Sequence, residues 1–300
     1  MIRILGTIFA GLLGLAFGSF LNVCLSRWPQ GESIVHPRSH CRNCDHQLSW
    51  WENIPLISWL ALRGRCRNCH TKISWRYPLV ELAVGALWAT TAWSMFQSLE
   101  DVTTIPSFYL YNTIAFSIGM MIFYWSIVAL ALLDAEYLWL PDLITLPGIA
   151  LGVAFSCFTP LLRNLVPDQP HKFTIGFEIE LRVPSELLAI LAAALLILLI
   201  RWLYKLIRHR EGIGLGDAKL MALLAAWLGL PGALLAFFLG IILGSLVAVV
   251  LLLTRSTKPA PNKAWSATKL PLGTFLCIGG IISALWGQPL IAVYLRWAGF

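Results

Sequence analysis

Apolar residues recur in long runs along almost the whole chain, each close to the ~20 residues that a helix needs to cross a bilayer core. Eight such runs stand out, at roughly 4–25, 79–97, 109–133, 143–163, 187–207, 218–230, 232–254 and 271–295. The sixth is short and passes through Leu230-Pro231-Gly232 into the seventh, so the two form a broken span or a re-entrant or tilted pair. A break of this kind is tolerated where neighbouring helices satisfy the freed backbone groups. The first run has only Arg3 ahead of it and extends to about Leu25. That is longer than the apolar core of a cleavable signal peptide, so a retained span is expected. One stretch has a different period. At 173–183, Phe173, Ile175, Phe177, Ile179, Leu181 and Val183 alternate with Thr174, Gly176, Glu178, Glu180 and Arg182. Period two marks a half-buried strand. A lone strand is unstable, so this outer segment packs on the bilayer surface, folds into a hairpin or meets a partner, and packing on the protein's own outer face is the favoured expectation. No internal repeat is evident.

The pattern therefore predicts an all-α polytopic membrane protein of about eight transmembrane helices. Composition agrees: 58% of the residues are hydrophobic and 12% charged, where a soluble domain carries about 25% charged residues. The net charge of +7 would point to nucleic acid in a soluble protein. Here the basic residues gather in a few loops, as they do on the inner side of membrane proteins, and no nucleic-acid partner is expected. Segments 27–77, 201–219 and 255–269 hold eight, five and four of the 22 Lys and Arg residues. With eight spans all three fall on one side, the cytoplasmic one. The region around Glu100 and Asp101 and the stretch 164–186 then fall outside, as do both termini.

Four of the seven cysteines lie in the first inner segment, as Cys41-Arg-Asn-Cys44 and Cys66-Arg-Asn-Cys69 with 21 residues between the pairs. That spacing is close to the pattern of four-cysteine zinc ribbons. Four thiolates close a tetrahedral shell and leave no position for an activated water, so Zn2+ bound by Cys41, Cys44, Cys66 and Cys69 is structural. Disulfides are disfavoured on the cytoplasmic side. A small loop domain without a large core needs such a staple. His36, His40, His46 and His70 share the segment and are read as solvated. Cys24, Cys157 and Cys277 lie in apolar runs and are read as small hydrophobes.

Ionisable groups at the edges of spans are costly, about 2.5–3.5 kcal/mol for Asp at a helix centre, and are functional candidates by default. Asp134 ends the third span and Asp217 opens the sixth, just after Gly214-Leu215-Gly216. Both fall at the cytoplasmic boundary. Two carboxyls a few ångströms apart share a proton. The ionised member can take a proton from water while the protonated one hydrogen-bonds a scissile carbonyl. Gly214 and Gly216 lack Cβ and allow a substrate backbone to approach. The alternative is a capping role for Asp217 at the start of its helix, and Asp142 is read as such a cap. Glu81, just inside the second span, is a further candidate, as a structural hydrogen-bonding group or a substrate contact.

Gly18-Ser19-Phe20-Leu21-Asn22-Val23, Asn53-Ile54-Pro55-Leu56-Ile57-Ser58-Trp59, Arg63-Gly64-Arg65-Cys66 and Ile73-Ser74-Trp75-Arg76-Tyr77-Pro78-Leu79-Val80-Glu81 together resemble the signatures of one family. So do Leu140-Pro141-Asp142-Leu143-Ile144-Thr145-Leu146-Pro147 after Asp134, and Gly214-Leu215-Gly216-Asp217-Ala218-Lys219. The chain is similar in this way, over nearly its whole length, to the bacterial type IV prepilin peptidases, which are intramembrane aspartyl proteases. The 173–183 stretch has no match in that pattern. The resemblance implies an inner-membrane enzyme with its active site facing the cytoplasm. Such an enzyme cuts prepilins and type II secretion pseudopilins after a glycine, between a basic leader and an apolar helix. Asp134 and Asp217 take the positions of the two catalytic aspartates. The resemblance also implies N-methylation of the new N-terminus with S-adenosylmethionine, a role tied to the zinc-bearing loop. No loop is long enough for a separate nucleotide-binding methyltransferase domain, and no residue for that cofactor can be named. Family substrates carry a glutamate shortly after the cut, and Lys219 or an arginine of the zinc loop is a candidate partner for it. The expected organisation is a first transmembrane helix (1–26), a cytoplasmic zinc-binding loop domain (27–78) and a seven-helix peptidase domain (79–300). The competing reading, a transporter with proton-relay carboxylates, lacks the repeated interrupted helices such proteins carry.

Overall fold

The computed structural model of the chain describes residues 1–100, 107–164, 175–209, 214–254 and 270–299. Among them the long elements are all helices: α1 (Ile2–Arg27), α3 (Arg76–Glu100), α4 (Ser107–Tyr137), α5 (Asp142–Asn164), α6 (Ile175–Arg208), α7 (Leu215–Thr254) and α8 (Leu272–Trp297). A short helix, α2 (Ile57–Ala61), lies in the segment between α1 and α3. Six of the helices are long and apolar enough to cross a membrane. The chain is an integral membrane protein.

The eight expected spans map onto seven long helices because the sixth and seventh are joined. At 1.5 Å per residue, the 40 residues of α7 would measure about 60 Å if straight, twice the hydrocarbon core. The helix instead breaks at Gly229, whose φ of 67° and ψ of 174° fall in a region open essentially to glycine alone. Pro231 follows, with no N–H to give. The Ser283 hydroxyl of α8 donates to the Gly232 carbonyl at 2.8 Å, supplying from a neighbour a bond at the break.

The expected strand is not formed. Residues 175–183 are the first turns of α6, and 173–174 lie outside the described residues. A single strand would leave both edges without ladder partners. A helix satisfies those groups within itself, and Glu178, Glu180, Leu181 and Arg182 are good helix formers.

The chain divides into two compact units, Met1–Ala129 and Leu130–Phe300. In the first, α1 and α3 pack antiparallel through small residues. A Cβ on Gly14 would lie 2.9 Å from Gly85 Cα, and one on Gly18 2.7 Å from Glu81 Cα. Side-chain bonds to backbone fasten this unit: Trp88 Nε1 donates to the Met121 carbonyl at 3.0 Å and Trp125 Nε1 to the Phe17 carbonyl at 3.1 Å. In the second unit α7 is the centre. Ala218 and the run Leu220–Ala226 are all buried, as befits a helix apolar on every side. It packs against α5, α6 and α8. Trp227 Nε1 donates to the Gly148 carbonyl of α5 at 2.9 Å.

Candidate functional site

Asp134 and Asp217 both belong to the second unit and both are buried, at 5% and 8% exposure. Asp134 stands one turn before the end of α4. The last turn closes on Leu138, in the left-handed region at φ 51°, whose N–H donates to the Asp134 carbonyl at 2.9 Å. The Asp134 carboxyl reaches α8. Its Oδ2 accepts the Thr274 N–H at 2.7 Å and lies 3.2 Å from Thr274 Oγ1. A helix start leaves its first N–H groups without intrahelical partners. The N-cap of α8 is Pro271, which makes no side-chain cap bond, so Asp134 supplies the cap from another helix. Thr274 Oγ1 is also 3.0 Å from the Ala131 carbonyl. Its single proton serves one of these two acceptors at a time. When it turns to Ala131, the hydroxyl oxygen is left to receive a proton from Asp134, so the site accommodates either protonation state. Gly273 makes the approach possible, since a Cβ there would sit 2.9 Å from Asp134 Cγ and Oδ2.

Asp217 is the third residue of α7, and its Oδ2 accepts the Gly214 N–H at 3.1 Å. This is the carboxylate half of a capping box. The capping role expected as an alternative is thus present, from inside the helix. Each carboxyl lies at the positive end of a helix dipole, Asp217 in α7 and Asp134 at α8, a placement that favours negative charge. Leu140 stands between the two helix starts. A Cβ on Gly216 would meet Leu140 Cβ at 3.1 Å, and one on Gly273 would meet Leu140 Cδ1 at 3.1 Å. The glycine at 216 therefore makes room for Leu140 as well as for any substrate.

Lys219 and Asp142 form an ion pair, Nζ to Oδ1 2.5 Å. Asp142 is the first residue of α5, and its carboxylate faces Lys219 across 77 positions. It stands in the first turn of α5 as an ion-pair partner. Both side chains are substantially exposed, 39% and 56%, and the pair ties the start of α5 to the start of α7. Thr274, Gly273 and Leu140 were missed as single residues in the sequence reading. Leu140 opens the Leu140–Pro147 motif. Thr274 carried no signal, because an ordinary threonine at a helix start looks the same whatever it touches.

Glu81 belongs to the first unit and is buried. Its Oε2 accepts the Leu56 N–H at 2.8 Å. Leu56 precedes α2 at φ 59°, an unfavourable region for leucine, so Glu81 fastens a strained turn of the loop to α3. Nearby, Asn22 Nδ2 of α1 donates to the Tyr77 carbonyl at 3.0 Å.

In the same loop the ligand atoms of Cys41, Cys44, Cys66 and Cys69 lie within 4.8 Å of one another. Cys41 Sγ is 3.7 Å from Cys69 Sγ, and Cys44 Sγ 3.9 Å from Cys66 Sγ. An ion with Zn–S near ~2.3 Å requires tetrahedron edges of about 3.8 Å, so the four sulfurs fit zinc. Cys69 Sγ also lies 3.3 Å from Thr71 Oγ1, which orients it within the cluster. The two halves are copies. Cys41 N–H donates to the His46 carbonyl and Cys66 N–H to the Thr71 carbonyl, both at 2.9 Å. Asp45 and His70 take left-handed φ of 52° and 55°, and bridges pair His40 with Gln47 and Arg65 with Lys72. Residues 40–47 and 65–72 thus form a repeat that the sequence reading did not recognise, visible in the shared Cys-Arg-Asn-Cys. His46 Nε2 lies 3.4 Å from Glu52 Oε2, and Glu52 caps the turn Trp50–Asn53. The Ser49 N–H is the main influence holding the Glu52 carboxyl below its usual range.

Residues 12–95 match the family model of the bacterial peptidase A24 N-terminal domain, and residues 120–249 that of the type IV leader peptidase family. Proteins named prepilin leader peptidase/N-methyltransferase are similar along almost their whole length. One from Stutzerimonas stutzeri is 33% identical, over 96% of this chain and 93% of its own. One from Pseudomonas putida is 33% identical over 97% and 94%, and one from Aeromonas salmonicida 32% over 95% and 92%. No solved structure matches the chain. With both family models matched in order and relatives of this identity aligned nearly end to end, the chain belongs to the type IV leader peptidase family.

Proposed function

We propose that this protein is a prepilin leader peptidase that cleaves prepilins and type II secretion pseudopilins after a glycine and methylates the new N-terminus with S-adenosylmethionine. In this reading it lies in a bacterial inner membrane with the active site facing the cytoplasm. The observation that carries the peptidase half is the pair of buried carboxyls, Asp134 and Asp217, each bonded to the start of a helix, with Leu140 packed against both starts.

The two share one proton. The ionised carboxylate takes a proton from a water as the water attacks the scissile carbonyl. The protonated member donates to the developing oxyanion. Collapse of the tetrahedral intermediate breaks the C–N bond, and a proton passes to the leaving amine. The pair acts as a unit, so neither is singled out as the acid. Thr274 supports the cycle by bonding Asp134 in either state. Lys219 is our candidate for the substrate's carboxylate, which would have to draw its ammonium from Asp142.

Zn2+ held by the four cysteines shapes the loop. The methyl donor is a sulfonium cation, which when bound would supply the methyl group for the new N-terminal amine. A cavity on the loop is lined by Ala61, Leu62, Arg63, Arg65, Cys66, Arg67 and His70, with no carboxylate. It does not suit that cation, and we assign no residue to the donor.

The test is Asp134→Asn and Asp217→Asn, made separately and assayed for prepilin cleavage in detergent. Each should lower the rate by about 10²–10⁴-fold, while Asp142→Asn keeps substantial activity. Retained cleavage in either of the first two removes that residue from the mechanism.

A further inference from the structure

The segment between α1 and α3 leaves and re-enters at the same end of an antiparallel helix pair. It is therefore held against one surface of the membrane. Its outside is not what a water-facing loop shows. Trp50 is 79% exposed, Ile57 62%, Leu60 65% and Trp75 67%. Ile57, Leu60 and Ala61 stand at i, i+3 and i+4, on one face of α2. Tryptophan at such density belongs to the membrane–water boundary, where its ring is apolar and its edge is wet.

That apolar face runs into a cavity of about 450 Å³ beside the cysteine cluster, lined by Ala61, Leu62, Arg63, Arg65, Cys66, Arg67 and His70. The turn Leu62-Arg63-Gly64-Arg65 builds it. Arg63 and Gly64 both have left-handed φ, 51° and 63°, and the Arg65 N–H closes on the Leu62 carbonyl at 3.1 Å. Gly64 packs so tightly on Trp59 that a Cβ would lie 2.7 Å from its ring. The turn thus sets two arginines to either side of one glycine. Arg67 is braced by the Trp51 ring, 4.9 Å from its centroid. No Asp or Glu lines the cavity.

Three guanidiniums present forked donors that match phosphate oxygens. We propose that this cavity binds the phosphate headgroup of anionic phospholipids, with the α2 face, Trp50 and Trp75 seated in the boundary layer of the bilayer. The apolar fringe favours a lipid over a free phosphate, because a soluble anion would give Ile57, Leu60 and Trp75 nothing to pack against. The proposal is independent of the peptidase reading.

Hydrogen exchange of the full-length chain in nanodiscs tests it. Amides in 57–67 should exchange about tenfold or more slowly in phosphatidylglycerol than in phosphatidylcholine. The triple variant Arg63→Gln, Arg65→Gln, Arg67→Gln should lose that difference while keeping its zinc content. If the triple variant does not retain zinc, Arg63→Gln alone, which lies outside the cysteine knuckle, must reduce the protection. Equal exchange of the wild-type chain in the two lipids overturns the proposal. So does equal protection in phosphatidylcholine on adding inorganic phosphate, which would make the cavity a site for free anions.

Discussion

Asp134 is held by a residue 140 positions away, and its neighbours allow little change. A methyl at Gly273 would press on the carboxyl from 2.9 Å. Gly273→Ala should therefore displace Asp134 and lower cleavage at least about tenfold, with far-UV circular dichroism unchanged. Thr274 is a finer probe. Thr274→Val keeps the N–H bond and the shape but removes the hydroxyl. Loss of a bond to a charged group is worth about 1.5–3 kcal/mol, so kcat should fall about tenfold or more, and Thr274→Ser should restore it. A Val variant with full activity would show that the hydroxyl has no part in the proton's movement. The same scale explains why Asp217 resists a single label. Its carboxyl satisfies the Gly214 N–H, a capping task, while standing where the proposed chemistry needs it.

At the scale of elements, α7 decides the most. It is the buried centre of its unit and carries Asp217 at one end and the break at Gly229 further along. A side chain at Gly229 meets no crowding, since its nearest contact would be Pro231 Cδ at 3.8 Å. The cost of Gly229→Ala is then conformational, about 1–3 kcal/mol. It should appear as a lowered Tm in detergent. An unchanged Tm would mean that the helix adopts another path at no cost. Ser283→Ala, which removes only the bond to the Gly232 carbonyl, should cost about 1 kcal/mol. The start of α6 carries the opposite lesson. Its period-two pattern is genuine in the sequence, but a pattern describes which sides differ and not which backbone bonds are available. With no partner strand, helix wins.

For the whole molecule, the two units present two kinds of chemistry: carboxyls in one and a thiolate cluster in the other. If zinc holds the loop, Cys41→Ser or chelation should open residues 28–75 to protease. It should also reduce the methylated fraction of the product, read by mass spectrometry, more than the amount of cleaved product. Equal loss of both would mean that the loop supports the entire fold. The ion pair between Lys219 and Asp142, spanning 77 positions, belongs to this scale too, since it joins two helix starts that are remote in the chain.

What the chain determined by itself was whatever repeats or spaces locally. Run length set the spans, because the bilayer thickness fixes how many apolar residues a helix needs. Two Cys-Arg-Asn-Cys units set the four-cysteine loop, because each knuckle is closed by bonds among neighbours. Asp134 and Asp217 were legible as costly groups at span ends. What only the tertiary structure decided was what each carboxyl touches: Thr274 and Gly273 for one, the start of its own helix for the other, with Leu140 between. These contacts join positions with no common period or motif. They exist only once apolar helices have packed, and packing energy depends on shape, which a one-dimensional pattern does not carry.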